Sequence, residues 1–213
     1  GLHKYGHEVI FYDINQQKLE RLAKQGYRVT KNLAAIRGYD IHIICVPTLN
    51  LVNNKPDLTS LELALKEVAK TLDRQEGYQV VVIRSTALPF TTKTMVIPLL
   101  ERYCPLTLNE EYGVCHNPEF LREAHALDDF LNPPIIIIGE TDKRSGDMLA
   151  QLYAPFRSPQ IRTTLGGYPF GGKCLPKDLA AFITFVNEQG LSSHLFEAVA
   201  EINEEMKRFK ANP

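Results

Sequence analysis

No apolar run in the 213-residue chain approaches the ~18 consecutive residues that a membrane span needs. No basic-then-apolar leader opens the sequence, so the expected location is the cytoplasm, without membrane attachment. Charge excess is missing too. Lys+Arg is 24 and Asp+Glu is 25, for a net charge of −1, whereas a dedicated nucleic-acid binder is basic with clustered charge. Four cysteines (Cys45, Cys104, Cys115, Cys174) stand far apart with no C-x-x-C pair, which argues against a disulfide framework or zinc knuckle. The six histidines form no ligand-like spacing, and no metal site is expected. Repeats and low-complexity segments are lacking. What remains is 44% hydrophobic and 23% charged residues, ordinary for a packed protein.

The pattern that is present alternates strand and helix. Glu8–Asp13, Asp40–Val46, Gln79–Ile83, Gly113–His116 and Ile135–Ile138 read as strands whose contiguous apolar residues predict burial on both faces. Between them lie helical periodicities. One carries Leu19, Leu22 and Ala23 behind an Asn15 cap; another carries Leu61, Leu65, Val68 and Leu72 behind Thr59 or Ser60. Further helices are expected over Thr91–Arg102, with a kink or early stop at Pro98, over Asp142–Phe156 with Tyr153 on its apolar side, and over Ser192–Lys210. The expected fold is α/β, a Rossmann-like doubly wound parallel sheet. In such sheets ligands bind beyond the carboxyl ends of the strands.

Those ends hold the candidate residues. Asp13 closes a strand and suits the adenosine ribose hydroxyls of NAD while repelling a 2′-phosphate; the alternative is a turn or cap residue before Asn15. Thr48 and Thr86 place hydroxyls after two further strands, for cofactor or water, or simply as helix caps. Asn117-Pro-Glu-Phe-Leu-Arg-Glu123 spaces Glu119 and Glu123 for one face of a helix starting at Pro118. That face can serve acid/base chemistry, or it can complement the helix dipole. Cys174 lies in a glycine-rich loop with Lys173 and Lys177 nearby to favour thiolate and Asp178 four residues on; a small buried cysteine is the alternative.

Together these segments closely resemble the UDP-glucose/GDP-mannose dehydrogenase family. The resemblance rests on Gly6-His-Glu-Val9 leading to Asp13, Cys45-Val-Pro-Thr48, Pro56-Asp-Leu58, Arg84-Ser-Thr-Ala-Leu-Pro89 with Thr91-Thr92, Asn117–Glu123 with Asp129-Phe130, and Gly171-Gly-Lys-Cys-Leu-Pro-Lys-Asp178. It implies an NAD-dependent four-electron oxidation of a nucleotide sugar's C6 alcohol to a carboxylate, UDP-glucose being the first expectation, in the service of polysaccharide synthesis. By resemblance, Cys174 carries a thiohemiacetal and then a thioester. Glu123 positions water near the nicotinamide, Glu119 tunes the proton network, Thr86 holds a water and Asp178 assists the base chemistry. Asp13, Lys18, Thr48, Thr86 and Glu123 would meet NAD. Phe120, Leu121, Arg122, Gly171 and Lys177 would meet the sugar nucleotide. A homodimer through a central helix is implied as well.

The same resemblance sets expectations about what is not found. No G-x-G-x-x-G lies ~20 residues ahead of Asp13, so the first strand and its phosphate-binding turn are expected outside this sequence, as is the C-terminal nucleotide-sugar domain. The helix carrying an oxyanion-stabilising Lys and Asn is missing at Leu165–Gly166, which should severely slow thioester chemistry. The expected layout is an incomplete NAD-binding domain over 1–165, then the Cys loop and a fragment of a central helical dimerisation domain over 166–213. The expectation is a portion of a longer protein, with a seam at Leu165–Gly166. Two other functions remain open: a non-catalytic member that binds nucleotide or a partner, and a single-step hydroxyacid dehydrogenase needing no thiol.

Overall fold

Strand and helix alternate through the residues described by the computed structural model, which are 1–48, 57–88, 90–163, 171 and 175–210. In the unit Gly1–Thr164 the order is β1 (Ile10–Tyr12), α1 (Gln16–Lys24), β2 (Arg28–Thr30), β3 (Ile41–Ile44), α2 (Thr59–Ala69), β4 (Gln79–Ile83), α3 (Ile97–Tyr103), β5 (Tyr112–His116), α4 (Ala126–Leu131), β6 (Ile136–Glu140), α5 (Lys143–Leu152) and β7 (Gln160–Thr163). The second unit, Leu165–Pro213, contributes α6 (Leu175–Glu188) and α7 (His194–Lys210).

Local chemistry explains where these helices start. Asn15 Oδ1 accepts from the amides of Gln17 and Lys18, and Asp142 Oδ1 accepts from Arg144 and Ser145, so each satisfies two orphan donors of the helix behind it. Neither Thr59 nor Ser60 caps α2. The Asp57 carboxylate accepts from the Thr59 amide instead, and both hydroxyl residues lie inside the helix. Pro98 does not break the Thr91–Arg102 helix. A π-type turn over Thr92–Val96 precedes the regular α segment, so Pro98 falls in that segment's first turn, where its missing N–H is tolerated.

Among the described residues the strands form two sheets rather than one. β1 pairs with β2, and β3-β4-β5-β6-β7 make the larger sheet. The sheet is also mixed, because β6 runs antiparallel to β5 through Cys115↔Glu140 and His116↔Gly139. A parallel connection needs a long crossover, usually a helix. Here α4 is only six residues, and most of residues 117–135 stay at the carboxyl edge, so the chain turns straight back.

β4 is the centre of the packing. Val81 and Ile83 face a core with Leu61 and Leu65 of α2 and Leu100 of α3; Val80 and Val82 face a second core with Ile138 of β6 and Leu149 of α5. All five β4 residues are buried, which is why their run is unbroken by polar alternation. Each such aliphatic side chain contributes about 1.5–3 kcal/mol by leaving water.

Candidate active site

β3, β4 and β5 run parallel, so their trailing loops meet at one edge. Backbone hydrogen bonds continue past the strands and tie these loops together. The Arg84 amide donates to Ile44 O and the Asn117 amide donates to Ile83 O, both at 2.9 Å. The Ser85 hydroxyl donates to Val46 O at 2.7 Å. Thr48 and exposed Thr86 therefore sit on loops anchored to one another.

Asn117 is the best-secured residue of this edge. It is buried, its Oδ1 accepts from Arg84 Nη1 at 2.5 Å and from the Tyr153 hydroxyl at 2.6 Å, and its Nδ2 donates to Ile137 O at 2.8 Å. Arg84 Nη1 also lies 3.2 Å from the Tyr153 hydroxyl, and its guanidinium stands 5.6 Å from the centre of the Phe130 ring. The space between this network and Phe120, Leu121 and Phe130 is about 20 Å³, room for one water, so it is packing and not a substrate pocket.

The loop beyond Asn117 corrects one expectation. Residues 117–122 are not helical. A short 3-10 turn begins at Glu123, so Glu119 and Glu123 do not share a helix face. Glu119 Oε2 instead accepts from the Leu121 amide, a turn in which a carboxylate satisfies backbone that would otherwise begin a helix. The Glu123 side chain lies outside the described residues. Arg122 is likewise committed within the protein. Its Nη2 donates to Asp129 Oδ1 at 2.7 Å, its Nε to Oδ2 at 3.1 Å, and its own amide to Oδ2 at 2.8 Å. These bonds to Arg122 hold the Asp129 carboxyl down at about 2. Phe120 is left exposed at the apex of the loop.

Cys45 lies just beyond a strand and not within it. It follows the last residue of β3 and is solvent-accessible, because the strand ends at Ile44. Desolvation by the atoms crowding one side still raises its thiol, with Arg84 pulling the other way and Glu119 adding to the rise. His116, at the end of β5, is pushed below its ordinary value by burial, against a hydrogen bond to the Ser85 backbone.

Asp13 follows β1 directly. Its Oδ1 accepts from the Asn15 amide at 2.8 Å, and its Oδ2 lies 3.4 Å from Lys18 Nζ. Both readings of Asp13 are thus compatible with one geometry: the turn is formed, and the carboxylate is still 31% exposed with a cation beside it. That is the arrangement an acid needs to accept ribose hydroxyls, so these residues fit the adenosine end of a dinucleotide. In the second unit, Lys177 and Asp178 lie exposed in the first turn of α6, 3.6 Å apart, and Gly171 is exposed. Cys174, Lys173 and the Leu165–Gly166 seam lie outside the described residues.

Sequence reasoning missed Tyr153 as a site element, placing it only on an apolar helix side. The available signal was a hydroxyl on an otherwise apolar stripe, since a buried Tyr O–H usually finds a partner.

Comparison with known proteins identifies the family. The profile of the UDP-glucose/GDP-mannose dehydrogenase family NAD binding domain matches residues 22–157, and that of the family's central domain matches 155–205. A GDP-mannose 6-dehydrogenase of Pseudomonas aeruginosa is 35% identical over 207 residues, covering 87% of this chain and 47% of that protein. A UDP-glucose 6-dehydrogenase of Haloferax volcanii is 24% identical over 277 residues, covering 93% and 64%. The crystal structure of a ternary complex of GDP-mannose dehydrogenase from Pseudomonas aeruginosa superposes with a TM-score of 0.71 at 25% identity, over 96% of this chain and 65% of that one. The chain spans about half the length of the GDP-mannose 6-dehydrogenase it matches. Its larger unit is a Rossmann-like NAD-binding domain, and with that domain's profile covering most of the sequence, the chain belongs to the UDP-glucose/GDP-mannose dehydrogenase family.

Proposed function

We propose that this chain supplies the NAD-binding part, and a portion of the central part, of a nucleotide-sugar 6-dehydrogenase that oxidises a C6 alcohol to a carboxylate in two steps. The observation that carries the reading is the locked carboxyl edge. Three parallel strands deliver Thr48, Thr86 and the 117–122 loop to one place, and Asn117 fixes that loop from beneath. NAD supplies the hydride acceptor for both oxidations. Asp13 and Lys18 hold its adenosine ribose, Thr48 lies beside it, and Thr86 and Glu123 hold water near the reacting carbon. Phe120, Leu121, Gly171 and Lys177 line the sugar nucleotide, while Arg122 acts by securing the loop through Asp129.

In this reading the Cys174 thiol adds to the aldehyde produced by the first oxidation, giving a thiohemiacetal. The second oxidation converts it to a thioester, and water releases the carboxylate and regenerates the thiol. Glu119 and Asp178 are the proton-handling carboxylates. The domain division at 1–165 and 166–213 and a homodimer through the central helices belong to the same reading. Exposed Leu195, Val199 and Ile202 on α7 support the dimer. Among the described residues no helix is long and apolar enough to cross a membrane.

The more similar named relatives shift the first substrate to test. Relatives at 32–38% identity carry the name GDP-mannose 6-dehydrogenase, against 24% and 27% for those named UDP-glucose 6-dehydrogenase. GDP-mannose therefore precedes UDP-glucose. The test uses the full-length protein with NAD and each nucleotide sugar, following NADH. Two NADH per sugar, with loss of carboxylate product in Cys174→Ala, is the expected result. One NADH per substrate and an indifferent Cys174→Ala would favour the single-step hydroxyacid reading. Cofactor binding without turnover would favour a binding-only member.

A further inference from the structure

The Arg84–Asn117–Tyr153 triangle draws its members from three places far apart in sequence: the end of β4, the end of β5 and the end of α5. Burying an amide and a phenol is costly unless their polar atoms are paired. Here the pairing is mutual. Tyr153 is 3% exposed and Asn117 1%, and the Tyr153 hydroxyl both donates to Asn117 Oδ1 and accepts from Arg84 Nη1. The phenol ring is itself fixed by an edge contact with Phe156, at 5.4 Å between centres. Phe156 makes a second edge contact with Phe130, 5.5 Å away, and Phe130 lies beneath the Arg84 guanidinium. The hydroxyl therefore has one position and, together with Arg84 Nη1 and Ile137 O, fixes where Oδ1 of Asn117 points.

What hangs from Asn117 is the 118–122 loop. Its far end is fastened separately, by the three bonds from Arg122 to Asp129. Within the loop, Glu119 is turned back onto the Leu121 amide. The loop is thus clamped at both ends, with the Phe120 ring, 48% exposed, as the group it presents. Of the two clamps, the Arg122 one is at the surface and the Asn117 one is buried, so the buried clamp sets the loop's angle to the sheet.

We propose that Tyr153 is a positioning residue for substrate recognition: acting through Asn117 and Arg84, it holds the 118–122 loop at the angle that presents Phe120 and Leu121 to the nucleotide sugar. The proposal rests on the function proposed above for its ligand, and on the geometry alone for its effect on the loop. Tyr153 is itself buried, so its effect is transmitted by Asn117 and Arg84.

The test is Tyr153→Phe in the full-length protein, which removes one oxygen and keeps the ring in its aromatic cluster. KM for the nucleotide sugar should rise about 5–10-fold, the equivalent of one lost hydrogen bond, with KM for NAD and kcat within about twofold. Arg84→Lys keeps the charge but loses the planar fork that meets Asn117 and Tyr153 together, and should give the same split. Leu61→Ala, a packing control in the other core, should lower the melting temperature without splitting the two KM values. Equal changes in both KM values, or a lower melting temperature alone in Tyr153→Phe, would overturn the proposal. If the wild-type protein oxidises no nucleotide sugar, the proposed function fails and hydrogen exchange decides the positioning role. Amides 119–122 should then exchange about tenfold faster in Tyr153→Phe while those of β4 and β5 stay unchanged, and unaltered exchange in the loop refutes it.

Discussion

Arg122 and Asp129 form a two-pronged pair, Nη2 to Oδ1 at 2.7 Å and Nε to Oδ2 at 3.1 Å, and the Arg122 backbone amide shares the same carboxylate at 2.8 Å. A guanidinium that the sequence offers to a ligand is spent on fixing its own loop. Arg122 is 71% exposed, so water screens the charge attraction, and the directional bonds matter more than the Coulomb term. Asp129→Asn should therefore leave global unfolding nearly unchanged and release the loop. The Arg122 amide should exchange with solvent about tenfold faster. Because the native carboxyl lies near 2, below its unfolded value of about 3.9, the clamp is fully present above pH 4. It is lost only as pH falls from there through about 2. An NMR titration of the Asp129 carboxyl checks this, and a midpoint near 4 would show that the clamp does not persist in solution.

Asp13 makes a second prediction. Its carboxylate is held in a formed turn and is still partly open to solvent, beside Lys18. Asp13→Asn keeps the turn acceptor and removes the charge that repels a 2′-phosphate. In the full-length protein the preference for NAD over NADP should fall about 10–100-fold, measured as the ratio of kcat/KM values. An unchanged ratio would return Asp13 to a purely structural role.

His42 sits on β3, on the same face as Ile44, and is 6% exposed, with no partner for Nε2 among the described residues. Burial pushes it down to about 4, against a hydrogen bond to the Tyr39 backbone. The unfolded chain therefore takes up a proton near pH 6.5 that the native protein refuses until about pH 4. Stability should be complete above about 6.5 and fall on acidification towards 4, by on the order of 2–3 kcal/mol. His42→Leu removes both the titration and the orphaned nitrogen. It should be neutral or stabilising at pH 7.5 and should flatten the decline at pH 5, as read by urea unfolding at the two values.

Gly146 lies within α5, where alanine would ordinarily improve a helix by about 1 kcal/mol. A Cβ there would stand 1.4 Å from Glu140 Oε2 and 2.6 Å from Arg162 Nη2. The carboxylate it displaces is 7% exposed and bonded to Arg162 Nε at 2.7 Å. Gly146→Ala should thus forfeit the helix gain and destabilise by about 1 kcal/mol, the cost of turning the Glu140 carboxylate away from its partly exposed partner Arg162. Thermal unfolding of the two proteins would show this, and a higher midpoint in the variant would contradict it.

Much of the architecture was legible in the sequence because it is written in short-range chemistry. The run Gln79–Ile83 can only be a strand buried on both faces, Asn15 and Asp142 begin helices through their own side chains, and Asp13 ends a strand. The motif order alone was enough to suggest the family. The less legible parts depend on partners distant in sequence. Glu119 and Glu123 carry helical spacing, but Asp129 captures Arg122 and Asn117 is held beneath the loop, so the segment stays extended. The antiparallel turn of β6 follows from residues 117–135 being occupied at the carboxyl edge, which no local pattern announces.

The sequence by itself determined that this is a doubly wound α/β chain with its chemistry beyond the strand ends, since periodicity and caps act within a few residues. Only the tertiary structure decided that Arg122 serves Asp129, that Cys45 meets solvent, and that Tyr153 reaches back across the sheet to Asn117. Hydrogen bonds to buried polar groups are satisfied by whatever the fold brings near, and that proximity is a property of the packed chain rather than of any segment of it.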